Sequence, residues 1–535
     1  MHPRPFFSVY WVVFILYLVL PPSLMAEEPS ISLSDAILKT LESNPGVKIE
    51  EEQVVQSEGA LQTATGQFDW VGLGSASWEQ ERQHFDDSGE EDGRFATDLG
   101  IREVTDSWRE ERATYSLGVR KQFRQGLVFS PSVSNVDVEN FSQDIQPQSR
   151  SDLDVEFVIP LMRGLGKTHT AAEEMAASSN LDATELLSKH NISERIFMTS
   201  VSYWNCLASL KTFQILEDTE RRAGEIYSLV DKLVRVGEME PAAKRQAEAK
   251  LYERQADIRD SRSSVYQAKQ QLGVAMGYTP KELPEAPLPE GTFPPVVNSK
   301  LLDEERTGQY VDVAFQKRGD YLASLTNVET EEILLEKARD DIRPRLDFTF
   351  RVGVSGFNER DDSSRYYRSV YHDHAGPNVF GGLTLEFPIE NNAAKGEFVR
   401  QRSLVREAKL TVEELSNGIA SDVLVSVERL RSAIKEYRLA TESAKAYRDA
   451  ADHENFKVRQ GAAELNDLVD MEDRYYTARA RQVEAMRKYA VALADLRFAT
   501  GTLLTDEAQT FRFRMNSLMT VPLPDPTTRK EEEAK

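Results

Sequence analysis

One short stretch of the sequence combines residue types that bind phosphate. Gly164-Leu165-Gly166-Lys167-Thr168 matches the end of a phosphate-binding loop, in which backbone N–H groups and a lysine surround the phosphates. Such a loop needs a leading glycine, but that position is occupied by Leu161. It also follows a buried strand, whereas the segment before this stretch alternates between apolar and charged residues. We therefore expect no nucleotide to bind here.

The other reactive side chains form no catalytic or metal-binding pattern. His372-Asp373-His374 offers two imidazoles in a predicted loop, fewer ligands than a metal site needs. The single cysteine, Cys206, lies in an apolar helical run, which favours a buried, unreactive thiol. No nucleophile stands beside a base in a recognisable arrangement. We predict a protein that is not an enzyme and uses neither a cofactor nor a metal.

Charge and the N-terminal segment indicate where the protein works. The formal net charge of -23 makes nucleic acid an unexpected partner. Residues 1–26 have the pattern of a secretory signal, with Arg4, an apolar run at 6–20 and Leu24-Met25-Ala26 before the cleavage point. An uncleaved anchor is the alternative, but the run is shorter than the roughly 20 residues of a spanning helix. No cysteine follows the run, so we predict an exported protein without a lipid anchor.

The sequence contains an internal tandem duplication. With an offset of 224 positions, the second copy repeats many residues of the first without a gap: Val201 with Val425, Arg235 with Arg459, Gly237 with Gly461, Glu248 with Glu472, Tyr252 with Tyr476 and Gly277 with Gly501. The front of each copy is related by 274 positions instead, as for Val54 with Val328 and Leu61 with Leu335. The difference places about 50 extra residues inside the first copy.

Each copy contains a very long predicted helix, a break at an Arg-x-Gly turn and a second helix that ends at another glycine. Residues 392–460 contain no proline, and apolar residues recur every three or four positions. At about 1.5 Å per residue this helix would be roughly 100 Å long. Shorter helices are predicted at about 33–43, 47–65, 321–341 and 464–500. Such lengths favour a bundled or hollow coiled coil.

Between the helices the pattern changes to a period of two. Leu346, Phe348, Phe350, Val352 and Val354 alternate with polar residues, which is typical of a strand with one apolar face. Similar segments lie at 68–82, 115–123, 127–138, 153–161, 345–357 and 379–389. Each is about long enough to cross a bilayer when tilted. The first copy thus has four strands between 68 and 161, and the second has two, so the first contains an extra hairpin.

Two environments could explain this alternation. A soluble sandwich would cover the second face, but here that face carries full charges, which favours lipid on one side and water on the other. Strand edges cannot remain unpaired in lipid. Six strands are fewer than the eight of the smallest bacterial barrels. We therefore predict that several copies of the chain share one barrel.

Taken in order, these segments resemble the outer-membrane efflux protein (TolC) family. The resemblance covers residues 33–504 and rests on the tandem order of helices and strands, the two Arg-x-Gly turns, Asn44-Pro45 after the first helix, and the strand exits Pro160-Leu161-Met162-Arg163-Gly164 and Phe387-Pro388-Ile389. It implies a mainly α fold with membrane β structure. In a homotrimer, an outer-membrane β-barrel would continue as a long α-helical coiled-coil barrel through the periplasm of a Gram-negative bacterium.

The resemblance also implies a function, partners and site residues. The trimer would be a passive exit duct for tripartite efflux or type I secretion, docked to a periplasmic adaptor protein and an inner-membrane RND or ABC pump. Arg235, Gly237, Arg459 and Gly461 would lie at the periplasmic tips, where the adaptor binds. Asp467 and Asp470 lie three residues apart on one helix face, and in a trimer they would form two acidic rings that attract cations at the entrance.

This sequence departs from the family pattern at four points. Ala243 stands where the family often has an aspartate, and Val458 and Ala463 replace a tyrosine and an arginine that close the entrance in some relatives. Closure would then use other groups, such as Lys244 or Arg245. The extra hairpin is the fourth departure, because two strands per copy give the family trimer twelve strands, whereas six per chain would give eighteen.

We predict a signal peptide at 1–26, a first repeat at 27–277, a linker or equatorial segment at 278–309, a second repeat at 310–504 and a C-terminal tail at 505–535.

A competing function is an exported coiled-coil spacer or adhesin, which would conduct no ions. The sequence is equally compatible with a drug, a metal ion or a protein as cargo.

Overall fold

The computed structural model describes residues 29–84, 107–141, 146–297, 302, 304–359, 364–371, 374–460, 465–504 and 520–522. The predicted signal peptide and residues 505–519 and 523–535 of the predicted tail lie outside the described residues. The chain divides into two compact units. The first comprises 1–44, 198–295 and 435–491, and the second comprises 45–197, 296–434 and 492–535. Each unit combines segments from both predicted repeats.

The first described residues are held by a short parallel pairing and a capped helix. Strand β1 (Ser30–Ile31) pairs with β6 (Leu288–Pro289), which lies in the predicted linker. Helix α1 (Leu33–Ser43) begins after Ser32, whose hydroxyl accepts a hydrogen bond from the Asp35 N–H at 3.2 Å. It ends at Asn44, as the sequence indicates, since Pro45 opens the next helix.

Helices make up most of the described residues. Two of them, α4 (Ala172–Arg235) with 64 residues and α9 (Asn392–Arg459) with 68, are continuous because their sequences contain no proline and keep apolar residues along one face. In α9, for example, Ile419, Val423, Val427 and Leu430 are buried in the second unit. The helices after α1 are α2 (Pro45–Thr65), α3 (Lys167–Thr170), α4 (Ala172–Arg235), α5 (Pro241–Met276), α6 (Glu304–Lys317), α7 (Gly319–Asp341), α8 (Ser364–Tyr371), α9 (Asn392–Arg459) and α10 (Leu465–Ala499).

Two glycines end α5 and α10 in the same way. Gly277 (φ +84°) and Gly501 (φ +65°) both adopt left-handed backbone conformations, and the next residue donates its N–H to a carbonyl in the last helical turn. A Cβ on Gly277 would lie 2.5 Å from the Cα of Asn44, and one on Gly501 would lie 2.8 Å from the carbonyl carbon of Lys317. Each helix end therefore touches the backbone at the end of α1 or α6, respectively.

Six strands form one antiparallel sheet within the second unit. Among the described residues each is 13 to 16 residues long, and their order in the sheet is β2-β3-β4-β5-β7-β8. Their bounds are β2 (Val71–His84), β3 (Ser107–Gln122), β4 (Val128–Asn140), β5 (Gln148–Pro160), β7 (Arg345–Glu359) and β8 (His374–Glu386). Strands β5 and β7, one from each predicted repeat, pair over their length. The sheet therefore unites both repeats.

The two faces of this sheet differ in polarity. Residues directly opposite one another share a face, and one such row is apolar across five strands: Leu117, Val133, Leu153, Val354 and Pro377. The other face carries charges, among them Glu156, which pairs with Arg351 at 2.5 Å. Apolar side chains on the first face are largely exposed, including Leu117, Leu153, Leu383 and Leu385.

An aromatic row crosses the apolar face. Consecutive ring centroids lie 6.2 Å apart for Trp70 and Phe129, 5.2 Å for Phe129 and Phe157, and 6.4 Å for Phe157 and Phe350. Aromatic girdles of this kind mark the interfaces of membrane barrels. The row therefore gives this face of the sheet the composition of a membrane boundary.

The observed element bounds differ from the predicted ones at several ends, since β3 begins at Ser107 rather than at 115 and β5 begins at Gln148 rather than at 153. The predicted loop at 359–378 contains helix α8, and β8 begins at His374 rather than at Val379. Tertiary contact stabilises this short helix, since the Ser369 hydroxyl contacts the Ser151 hydroxyl at 2.8 Å. Strand β8 ends at Glu386, before Phe387 and Ile389, because Pro388 cannot donate a ladder hydrogen bond.

Candidate functional site

The turn after α4 is a glycine-dependent helix end in the first unit. The Glu238 N–H donates to the Leu233 carbonyl at 2.9 Å and the Gly237 N–H donates to the Val234 carbonyl at 3.2 Å. Gly237 has φ +80°, the left-handed conformation that this pattern requires. Gly237 thus lies at a chain reversal that requires a left-handed backbone conformation, as the Arg-x-Gly pattern predicts. Helix α5 begins four residues later, at Pro241.

One carboxylate joins the two sides of this turn. Asp231 accepts Arg235 Nη2 from its own helix and Lys244 Nζ from α5, both at 2.7 Å. The hydrogen bond from Lys244 holds the pKa of Asp231 below its usual value. The Arg235 side chain is otherwise 76% exposed, so most of its guanidinium faces outward from the turn. Lys244, expected as a candidate for closure, is thus engaged within its own hairpin.

A small apolar core lies under the turn. Val230 of α4, Ala247 of α5 and Leu465 of α10 are buried against one another, and Val234, Met239 and Ala243 pack around them. Ala243 is the position where the family often has an aspartate. Here its methyl group belongs to the core, which explains why a charged residue would be unfavourable there. The core also fixes the first turn of α10 beside the α4–α5 hairpin.

The second Arg-x-Gly turn is described only in part. Helix α9 ends at Arg459, whose Nε donates to Asn455 Oδ1 at 3.1 Å. Val458 is buried, with 2% of its surface exposed, so it packs in the interior rather than forming an exposed latch. Gly461 and Ala463 lie outside the described residues.

The two predicted ring aspartates share an exposed face of α10. Leu465 and Leu468 are buried, whereas Asp467 and Asp470 point away from them. Asp470 is 53% exposed and accepts Arg474 Nε at 2.8 Å. Asp467 lies in the first turn of the helix, where the helix dipole favours a negative charge. Both carboxylates remain accessible in the single chain.

A partly buried ion-pair network near these turns was not singled out from the sequence. Arg222 of α4 binds Glu472 of α10 at 3.0 Å and lies 3.5 Å from Asp452 of α9. Asp218 of α4 accepts Arg479 of α10 at 2.6 Å. These pairs connect three helices of the first unit. Arg222, Asp452 and Glu472 line part of a pocket of about 170 Å³ that also contains Arg459.

A second network joins α10 to α5. Asp473 accepts Arg254 at 2.5 Å and Lys250 at 2.6 Å. The Arg254 guanidinium lies 4.8 Å from the centroid of the Tyr476 ring, a favourable cation–π distance. The neighbouring Tyr475 ring lies 5.3 Å from the Arg222 guanidinium. Adjacent residues of α10 thus point to different partner helices.

The sequence signal for both networks was the pair Glu472-Asp473 followed three residues later by Tyr475-Tyr476. Three-residue spacing puts each acid and its tyrosine on the same helix face. Burial raises the pKa of the Glu472 carboxyl above its usual value, although Arg222 opposes the shift. Glu472 is 10% exposed, which makes it the most shielded acid of its network. The arrangement can hold helices in register, and among the described residues of these networks no group is poised for covalent chemistry.

The phosphate-loop-like stretch uses its backbone within the fold. The Gly164 N–H donates to Asp340 Oδ2 at 2.9 Å and the Gly166 N–H donates to the Gln125 carbonyl at 3.0 Å. Both groups are therefore occupied by protein acceptors. Of the His372-Asp373-His374 motif, the first two residues and the third side chain lie outside the described residues. Among the described residues, no cluster of three or more His, Cys, Asp and Glu could hold a metal ion.

Among the solved structures that match this chain in architecture are three outer-membrane channels. The outer-membrane channel OprN matches with a TM-score of 0.60 and 13% identity, over 89% of this chain and 95% of that one. The outer membrane channel CmeC of Campylobacter jejuni matches with a TM-score of 0.59 and 14% identity, over 96% and 94%. The open-state outer membrane channel MtrE of Neisseria gonorrhoeae gives 0.58 and 15%, over 89% and 91%.

The chain has the fold of an outer-membrane channel. The resemblance to the TolC family is thereby confirmed at the level of the fold, since the matches span nearly all of this chain and of the channels. No protein-family model matches the sequence, and no curated protein matches it. Over the described part of the chain, no helix is long and apolar enough to cross a membrane.

Proposed function

We propose that this channel fold serves as the outer-membrane exit duct of a tripartite efflux or type I secretion system. The observation that carries the proposal is the six-stranded sheet, with an exposed apolar face crossed by an aromatic row and a second face that carries ion pairs. A sheet of this composition suits lipid on one side and a water-filled pore on the other. The duct would be passive, with energy supplied by a partner and no catalytic role for this chain.

The duct is proposed to be a homotrimer in the outer membrane of a Gram-negative bacterium, with a large periplasmic portion. One chain cannot seal a pore, because six strands fall short of the smallest bacterial barrels. We propose that the protein is exported without a lipid anchor, since no cysteine lies directly after the apolar run of the predicted signal. Its single cysteine, Cys206, is buried in α4.

The proposed partners are a periplasmic adaptor protein and an inner-membrane RND or ABC pump. Adaptor contact is assigned to the two Arg-x-Gly turns, with Arg235, Gly237, Arg459 and Gly461. The exposed Arg235 guanidinium and the exposed Val236 side chain support this assignment for the first turn. Arginine is enriched at protein interfaces and among the residues that contribute most of their binding energy.

Single-channel recording tests the duct itself. The mature protein, purified in detergent and added to a planar bilayer, should produce discrete conductance steps. A polypeptide that is monomeric and soluble without detergent, and gives no conductance, would contradict the proposal and favour the coiled-coil spacer.

Charge reversal tests the tips. The double variant Arg235→Glu with Arg459→Glu should abolish chemical crosslinking to the adaptor protein. Cells that carry this variant should lose export and become sensitive to exported drugs, while the bilayer conductance of the purified protein persists. The matched control is Arg438→Glu, an exposed arginine of α9 about 30 Å along the helix from Arg459. Equal crosslinking in all three proteins would remove the tips from the adaptor interface.

A further inference from the structure

The sheet has two edges with similar dimensions. Within the described residues, β2 pairs in the sheet only with β3, and β8 pairs only with β7. Strand β2 has 14 residues and β8 has 13. Each strand thus presents one line of backbone N–H and C=O groups without a strand partner, which is unfavourable in a hydrocarbon environment.

The extra hairpin, β2–β3, is a full part of the sheet. Strand β2 pairs with β3 along its whole length, and β3 pairs with β4 from Glu110 to Gly118 and again at Lys121 and Gln122. Its exposed apolar residues Tyr115 and Leu117 stand opposite Asn135 and Val133 of β4, on the same face as the rest of the apolar row. The aromatic row also begins beside this hairpin, at Trp70. The hairpin therefore continues the membrane-facing surface.

We infer that β8 of one copy pairs with β2 of a second copy, so that three copies close an eighteen-stranded barrel. This inference rests on the proposed function and specifies its barrel. Neighbouring strands alternate in direction from β2 to β8, so β2 of the next copy enters antiparallel to β8. An even strand count allows the alternation to continue around the ring.

The strand ends indicate the register of this contact. Placing Val71, where β2 begins, opposite Glu386, where β8 ends, pairs Gly72 with Leu385 and Gly74 with Leu383. These four residues all belong to the apolar face, because Gly74 stands opposite Leu117 and Leu383 opposite Phe348. A shift by one residue would set these leucines opposite β2 residues such as Leu73, whose side chains lie on the other face of the sheet.

Side-chain volumes agree with this register. A Cβ on Gly72 would have no heavy atom within 4 Å, and one on Gly74 would meet only Leu117 within 3.4 Å and the Ser116 carbonyl at 3.9 Å. The exposed Leu385 and Leu383 side chains of the neighbouring copy would cover this open strip of β2. With strands about 4.8 Å apart and tilted by about 40°, eighteen strands give a barrel roughly 36 Å across, against roughly 24 Å for twelve.

Disulfide trapping in outer membranes tests the inference. In full-length protein carrying Cys206→Ala, the pair Gly72→Cys and Leu385→Cys should form covalent dimers and trimers on oxidation, and reductant should return them to monomers. The matched control, Gly72→Cys with Val354→Cys, should stay monomeric, because Val354 lies on the interior strand β7. Membrane fractionation shows that each variant is inserted.

A twelve-stranded barrel predicts a different crosslink. If the β2–β3 hairpin lay outside the ring, β4 would pair with β8 of the next copy, and Val133→Cys with Gly381→Cys would form covalent trimers instead. That result would overturn the inference. Conductance measured on the same preparations separates the two levels, since a conducting protein with the β4–β8 crosslink loses only the wider barrel, whereas absent conductance removes the proposed function.

Discussion

Glu472 on α10 accepts a hydrogen bond from Arg222 on α4 at 3.0 Å, and both side chains are largely shielded from solvent. Asp452 on α9 lies 3.5 Å from the same guanidinium. One arginine of α4 therefore contacts acids of two other helices of the first unit. Charges in such surroundings interact more strongly than surface pairs, and removing one partner leaves the other without compensation.

Substitution of Arg222 by methionine should destabilise the helices by up to about 3 kcal/mol, the lower end for a buried pair, because Arg222 is 22% exposed. The double variant Arg222→Met with Glu472→Met should lose less than the sum of the two single variants, since it leaves no lone carboxylate at position 472. The midpoint of helix unfolding, followed by circular dichroism in detergent, measures each change. Strictly additive losses would show that the pair contributes no coupling.

The raised pKa of Glu472 predicts a pH dependence of stability. Because the folded-state pKa lies above the unfolded value of 4.5, the folded protein binds more protons between the two values. The contribution of the Glu472 carboxyl to stability is complete below pH 4.5 and is lost as the pH rises through the folded pKa. The unfolding midpoint of Glu472→Gln relative to wild type should therefore increase as the pH is raised from 4.5. A constant difference between the two proteins across this range would contradict the prediction.

Replacement of Gly237 by alanine should cost about 1 to 2 kcal/mol, since φ is +80° and an L-residue is strained there. No atom lies within 4 Å of the added Cβ, so the loss reports backbone conformation alone. Gly224 in the interior of α4 provides the control, because it also has open space and Gly224→Ala should stabilise the helix by about 0.5 to 1 kcal/mol. Thermal unfolding of the two variants should shift in opposite directions.

Neutralising the predicted acidic rings should reduce cation attraction at the entrance. Asp467→Asn with Asp470→Asn is expected to weaken block of the conductance by a multivalent cation by about tenfold, or about 1.4 kcal/mol. Glu442→Gln, an exposed acid of α9, serves as the charge-matched control for one position and should leave block unchanged. Block that is identical in all proteins would place both aspartates away from the conduction path.

Much of this fold could be predicted from local patterns. Period-two alternation predicted strands that the structure contains, and proline-free apolar periodicity predicted α9 to within one residue at its C-terminal end. The Gly237 turn was predictable because its backbone requirement restricts residue choice. These features depend on residues that are near one another in the sequence, so the sequence pattern alone is enough to predict them.

Features that depend on tertiary contact were less visible. Helix α8 has a polar, aromatic sequence, and its position depends on Ser369 meeting Ser151 and Asn135 of the sheet. In the sequence, Glu472 resembles any charged helix residue. Its role in the ion-pair network becomes visible only when its spacing to Tyr475 is combined with the position of Arg222 on another helix. The sequence also did not show that Lys244, a predicted closure residue, forms an ion pair with Asp231 at 2.7 Å.

The glycine junctions at the ends of α5 and α10 have a mechanical consequence. At Gly277 and Gly501 no glycine side chain separates the helix end from the backbone at Asn44 or Lys317. The Asn44 side-chain amide further ties the first junction by donating to the Ala275 carbonyl at 2.7 Å. A displacement at the end of α5 should therefore be transmitted to the end of α1, and a displacement at the end of α10 to the end of α6. Any widening of the proposed duct would then have to pivot elsewhere along these helices.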